Sequence, residues 1–324
     1  MGEVYLIKTD SLGDSLWTNT FGGTGEEMGN FVQQTTDGGY IIIGNSFPSP
    51  PYGGLKTYLV KINEFGNEQW YKHFDFGVMQ HTGYSVKQTS DGGYILCGWY
   101  TVGYYDSDMY LMKTDSLGDT LWTNSYGGSY EEYAISMDIT TDGGYVICGY
   151  TRGGDSDVYL IKTNGSGTEQ WSQTFGGNWG EDEAYSVQQT SDEGFIICGT
   201  TNSFGNGGYD IYLIKTDSAG VEQWNKTYGG ANRDVGYSAK QTSDGGFIIC
   251  GYTQSFGNGN DDVYLIKTDG NGNVTSTFNI PTPNPNRKLE SIVDVLGRET
   301  KPKSNTPFIE IYDDGSTEKK LIVE

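Results

Sequence analysis

The chain is built of short apolar runs set between glycine-rich turns. Runs such as Val158-Tyr-Leu-Ile161 and Phe195-Ile-Ile-Cys198 are apolar at consecutive positions. A sheet wetted on one face would alternate, so these strands are expected to be covered on both faces. The segment "SVKQTSDGGYILCGWY" (85–100) reads as two β runs around an Asp-Gly-Gly turn, and "MYLMKTDSLGDTLWTNSYGG" (109–128) as a second hairpin around Asp115-Ser-Leu-Gly-Asp119. Glycine in both turns supplies the positive φ that a tight connection needs. No apolar period of 3.6 residues is present, which excludes helical repeats.

These hairpins recur. The word Tyr-Leu-Ile-Lys, or a close variant, starts at Tyr5, Tyr58, Tyr110, Tyr159, Tyr212 and Tyr264, in steps of 53, 52, 49, 53 and 52 residues. Twelve residues after each of the first five stands a tryptophan (Trp17, Trp70, Trp122, Trp171, Trp224), and the sixth has Ser276. Asp-Gly-Gly-aromatic begins at Asp37, Asp91, Asp142 and Asp244, with Asp192-Glu-Gly-Phe as its variant. Four strands per period of about 50 residues predict an all-β chain, a β-propeller of four-stranded blades. Five blades are complete, and a half-blade (residues 4–21) precedes them. The expectation is therefore six blades with one half-made, or an incomplete ring, in a chain lacking N-terminal sequence. The array occupies residues 1–278, a Pro/Asn linker 279–286 and a short β tail 287–324.

Composition narrows the function. The 324 residues carry 42 acids and 20 bases, a net charge of −22. Phosphate neutralisation needs clustered Lys and Arg, so nucleic acid is excluded as a partner. No run approaches the 18 or so apolar residues of a membrane-spanning helix. Only His73 and His81 occur, too few for a multi-histidine metal site. Cys97, Cys148, Cys198 and Cys250 follow the repeat, and the first unit has Ile43 at that position. They are expected to be buried packing residues, unable to pair across sheets about 10 Å apart.

The turn side of the array is monotonous. Thr-x-Asp-x-Gly recurs at Thr35, Thr89, Thr140, Thr190 and Thr242 and resembles the Asp-box turn of sialidase-type propellers, without its terminal tryptophan. Its Asp is read as structural, accepting from turn amides. The opposite, loop side varies, and its exposed rings lie among acids and amides. Sugar recognition uses this combination: rings stack on pyranose faces and carboxylates take hydroxyls. The candidate ligand contacts are Trp99, Tyr104, Tyr105, Trp179, Phe204 and Tyr209, with Glu131, Asp182 and Asp261 as polar partners. The plainer alternative is that the rings pack the loops and the acids are solvated. Glu26/Glu27, Glu131/Glu132 and Glu181/Glu183 invite a glycoside hydrolase reading, but adjacent acids rarely face each other at the required separation. No catalytic residue is assigned, and no cofactor is expected apart from Ca²⁺, for which Asp108, Asp157, Asp210 and Asp262 could offer oxygen ligands. Solvated turn acids are the plainer reading of this set as well.

After residue 278 the period stops. The tail carries 7 basic and 8 acidic residues, leaving −21 of the −22 on the array. The segment "IVDVLGRETKPKSNTPFIEIYDDGSTEKKLIVE" (292–324) resembles the C-terminal sorting signal of type IX secretion in Bacteroidota-type bacteria. The resemblance rests on Gly297-Arg298, Asn305-Thr-Pro307, Tyr312-Asp313-Asp314-Gly315 and Lys319-Lys320. It implies engagement of the type IX machinery, export to the cell surface or medium, and removal of the tail in many such proteins. The N-terminal "MGEVYLIKTD" has no apolar signal-peptide core. The expected product is a secreted or surface-displayed propeller that binds glycan or another extracellular ligand without catalysis. A purely structural or adhesive array and an exported glycoside hydrolase are the alternatives.

Overall fold

The structure, a computed structural model, describes residues 2–23, 25–47, 54–77, 80–103, 106–257, 260–280, 287–294, 297–303, 308–313 and 317–320. Every element is β, with no helix among the described residues. Five four-stranded antiparallel units follow one another in sequence. Unit III is typical: Glu131–Ile139, Tyr145–Arg152, Ser156–Thr163 and Glu169–Phe175 pair in that order. A two-stranded sheet, Val4–Thr9 with Ser15–Phe21, precedes unit I, and a three-stranded sheet begins at Leu289 in the tail.

The sequence words turn out to bind hairpins within a unit and units to one another. In each Asp-Gly-Gly turn the Asp accepts from its Thr hydroxyl and from the following Gly amide, as at Asp142 with Thr140 (2.5 Å) and Gly144 (3.0 Å). It also pairs with the Lys of the Tyr-Leu-Ile-Lys word: Lys61–Asp37, Lys113–Asp91, Lys162–Asp142, Lys215–Asp192 and Lys267–Asp244, all at 2.8–3.0 Å. The two hairpins of a unit are thereby clamped on the turn side. Each word tryptophan crosses to the next unit, edge-on or tilted against its post-turn aromatic: Trp17–Tyr40, Trp70–Tyr94, Trp122–Tyr145, Trp171–Phe195 and Trp224–Phe247, with centroids 5.7–6.3 Å apart. The same ring roofs a glycine of that unit's second turn. A Cβ built on Gly167, at φ +77°, would lie 2.6 Å from Trp122. Ser276 replaces tryptophan in unit V, after which no further four-stranded unit follows among the described residues.

Neighbouring units pack face to face through aliphatic cores, for example Cys198, Leu213 and Tyr228 of unit IV with Ala239, Phe247 and Ile266 of unit V. Cys97, Cys148 and Cys198 sit in these layers, fully buried, and burial pushes all three thiols up, Cys198 to about 12. Cys250 departs from the expectation. It is exposed, because no unit covers that face of unit V among the described residues. All four are free thiols.

The first strands of the five units, Glu26–Gln34, His81–Gln88, Glu131–Ile139, Asp182–Gln189 and Asp234–Gln241, border one shared axial cavity. They are held together across units by glutamine side chains. Gln189 accepts from the Thr141 amide (2.8 Å) and Gln188 from the Gln241 amide (2.9 Å).

Candidate functional site

On the loop side, units III and IV form a cleft of about 360 Å³. Its wall begins where two loops are tied together: Ser156 donates its amide to Gly180, Glu181 to the Asn202 side chain (2.6 Å), and Asn202 to the Glu181 carbonyl (3.1 Å). Trp179 stands on this frame. Its backbone has φ +67°, its amide donates to Asp155 Oδ2 at 3.1 Å, and its side chain is 96% exposed. Tyr209 lines the same cleft from the loop after Asn202. Its hydroxyl donates to Glu181, and the Arg233 guanidinium lies 5.1 Å from its ring centre. The bond to Glu181 pushes the Tyr209 phenol up to about 12, so it remains a neutral donor. Arg152 closes the opposite side, anchored to Ser156 (3.2 Å) and Glu183 (3.5 Å).

Two of the expected ligand contacts, Trp179 and Tyr209, therefore meet in one cleft. The others are dispersed. Trp99 packs edge-on against Tyr133 (5.0 Å), and Phe204 leans on Tyr212 (5.7 Å). Glu131 begins its strand beside Ser107, and Asp261 accepts from Gln254 at 2.7 Å. Asp182 is fully buried, where Oδ2 accepts from Gly177 (2.9 Å) and Ser203 (2.7 Å), so it braces the loop and does not reach its surface. The same brace recurs at Glu27, Glu132 and Asp234. This accounts for one acid of the Glu26/Glu27 and Glu131/Glu132 pairs. Tyr104 and Tyr105 lie outside the described residues. Arg152, Asp155, Glu181 and Asn202 complete the cleft and were not singled out as ligand contacts.

The acids considered for Ca²⁺ do not assemble into a ring. Asp108, Asp157 and Asp210 each face a single brace acid across a glycine. A Cβ on Gly176 would touch Asp157 (1.9 Å) and Asp182 (2.7 Å), one on Gly127 would touch Asp108 and Glu132, and one on Gly229 would touch Asp210 and Asp234. Burial raises the carboxyls of Asp108, Asp157 and Asp210. Asp262 is buried at the corresponding place in unit V. No group of three or more His, Cys, Asp or Glu is placed to hold a metal ion among the described residues.

In the tail, Gly297 takes φ +79° in a turn where Arg298 pairs with Asp294 at 2.7 Å. Arg287 lies 3.7 Å above the Tyr312 ring, and the Asp313 carboxylate accepts from the Lys288 amide at 2.9 Å. Lys319 and Lys320 fall in the strand Thr317–Lys320. Asn305, Pro307, Asp314 and Gly315 lie outside the described residues.

No family model and no curated protein matches the sequence. Solved structures do resemble the fold. A protein of unknown function from Dyadobacter fermentans aligns over 90% of this chain and 93% of its own, with a TM-score of 0.55 and 10% identity. Sqt1 from Chaetomium thermophilum aligns over 99% and 78%, at 0.51 and 10%. An ulvan lyase of polysaccharide lyase family PL25 aligns over 94% and 80%, at 0.50 and 12%. At these identities the likeness is one of fold.

Proposed function

We propose that this chain is an exported β-propeller with five complete blades and a half-blade, which binds saccharide in the Trp179–Tyr209 cleft. Trp179 carries the reading. A non-glycine residue at positive φ costs about 1–2 kcal/mol, and a ring left in water returns nothing through packing. A planar apolar face beside Tyr209, Arg152, Glu181 and Asn202 offers a pyranose both a stacking surface and hydroxyl partners. Both acids at hand are already acceptors, Asp155 for the Trp179 amide and Glu181 for Tyr209, which supports binding over hydrolysis. Affinity electrophoresis through gels cast with neutral polysaccharides tests this. The wild type should be retarded by at least one polymer and Trp179→Ala should run free. Equal mobility of the two in every gel would reject the cleft.

We also propose that residues 287–324 direct export through the type IX machinery, on the strength of the tail's resemblance to that sorting signal. Fused to a periplasm-directed reporter in a competent host, the tail should carry the reporter outside the cell. Retention beside an exported control tail would reject it.

A further inference from the structure

The axial cavity is separate from the saccharide cleft and shares no lining residue with it. Its volume is about 620 Å³. Each of the five strands around it carries a β-bulge at the same place, between Gly29 and Phe31, Gly83 and Ser85, Ala134 and Ser136, Ala184 and Ser186, and Gly236 and Ser238. A bulge adds one residue and re-aims its side chain. The extra residues are Asn30, Tyr84, Ile135, Tyr185 and Tyr237, and all five line the cavity. A deviation repeated in every unit, with its product turned into one chamber, marks that chamber as more than a packing void.

The chamber has two chemically different ends. At one, the Tyr185 and Tyr237 rings lie 5.5 Å apart. The Tyr185 hydroxyl donates to Glu183 (2.5 Å), itself 3.5 Å from Arg152. At the other stand Lys87, Lys240 and Asp138. Asp138 pairs with Lys87 at 2.6 Å and also accepts the Ile139 and Gln189 amides at 3.0 Å, so its acceptors are committed. Lys240 has no hydrogen-bond or ion-pair partner among the described residues. The residue is exposed to solvent; partial desolvation of its ammonium and then the neighbouring Lys87 charge lower its pKa, and the Asp138 charge raises it. An exposed ammonium beside a like charge and without a pairing partner is open to an anion entering the cavity. Lys240 lies three positions along the strand from Tyr237, about 10 Å, the length of roughly two sugar rings.

We infer that the axial cavity binds an acidic saccharide, with a uronate carboxylate between Lys87 and Lys240 and a neighbouring ring against Tyr185 and Tyr237. The site extends the saccharide reading to a second location and does not require the Trp179 cleft.

Calorimetric titration of the full chain with a tri-uronate, the neutral trisaccharide of equal length, and inorganic phosphate tests the inference. The tri-uronate should bind at least tenfold more tightly than the neutral sugar and than phosphate, and should weaken as salt is raised. Lys240→Met and Lys240→Gln should each lose at least tenfold in tri-uronate affinity, with unchanged melting in the absence of ligand. Tyr237→Ala should weaken the tri-uronate and leave phosphate unaffected. Trp179→Ala should retain tri-uronate binding in the cavity even if the cleft reading fails. Equal affinity for acidic and neutral sugars, phosphate matching the uronate, no binding of the tri-uronate, or tri-uronate binding lost in Trp179→Ala and kept in both Lys240 variants would each overturn it.

Discussion

Replacing Asp142 by Ala tests the clamp between the two recurring words. Lys162 is only 6% exposed, and Nζ donates to Asp142 (2.8 Å), the Thr163 carbonyl (2.8 Å) and Gln170 (3.1 Å). Burial alone would raise the Asp142 carboxyl, but Lys162, the Thr140 hydroxyl and the Gly144 amide together bring it from 3.8 down to about 2. That lowering corresponds to a ceiling of about 2.4 kcal/mol. Asp142 is itself 55% exposed, so screening reduces the linked stability to about 1 kcal/mol. Losing the turn bonds and leaving Lys162 with neutral acceptors adds a further 1–2 or so, for a total of about 2–3 kcal/mol in Asp142→Ala. Lys162→Met keeps the stem, strands no buried charge, and leaves Asp142 its turn bonds, so it should cost about 1 kcal/mol. The folded-state pKa lies below the unfolded one, so the linked stability is present above pH 3.8 and disappears as pH falls towards 2. Urea titrations followed by tryptophan fluorescence should therefore show the gap between wild type and Asp142→Ala shrinking from pH 4 to pH 2. A gap that stays constant to pH 2, or Lys162→Met costing more than Asp142→Ala, would refute the clamp.

Gly167→Ala and Gly143→Ala both place a side chain at positive φ, +77° and +80°, yet only the first meets Trp122, so thermal melts should show a loss of about 1 kcal/mol at Gly143 and at least twice that at Gly167. Thiol titration of the native protein should count one reactive cysteine per chain, Cys250, and four after unfolding; four native thiols would mean that the layers between units are open. His81 is buried and takes the Thr57 amide on Nδ1 at 3.0 Å, and burial lowers its pKa from 6.5 to about 4. The unfolded chain therefore binds more protons between these values, and stability should fall by up to about 3 kcal/mol from pH 6.5 to pH 4. His81→Asn, which keeps an acceptor for Thr57, should flatten that slope in denaturant titrations.

The repeat made the four-stranded units legible in sequence, since word spacing and turn glycines mark each hairpin without reference to the rest of the chain. What the words do for one another was not legible. The Lys162–Asp142 clamp and the Trp122–Gly167 contact join residues 20 and 45 positions apart, and apolar periodicity carries no information about such pairing. Cys250 shows the limit of reasoning from equivalence, because a repeated position is buried only where a next unit exists to cover it. Trp179 and Tyr209 could be picked out as aromatics outside the recurring words. Arg152 and Asn202 could not, since only the fold brings their loops to the same cleft. The bulge residues around the axial cavity were hidden for another reason: an inserted residue shifts the two-residue alternation from which facing is read.

A glycan array probed side by side with wild-type protein and Trp179→Ala, both labelled at Cys250, tests the central claim most directly. The account predicts a defined set of saccharides bound by the wild type, of which the variant loses all neutral members. An array on which the wild type binds nothing, or on which both proteins give the same neutral-sugar pattern, would contradict it.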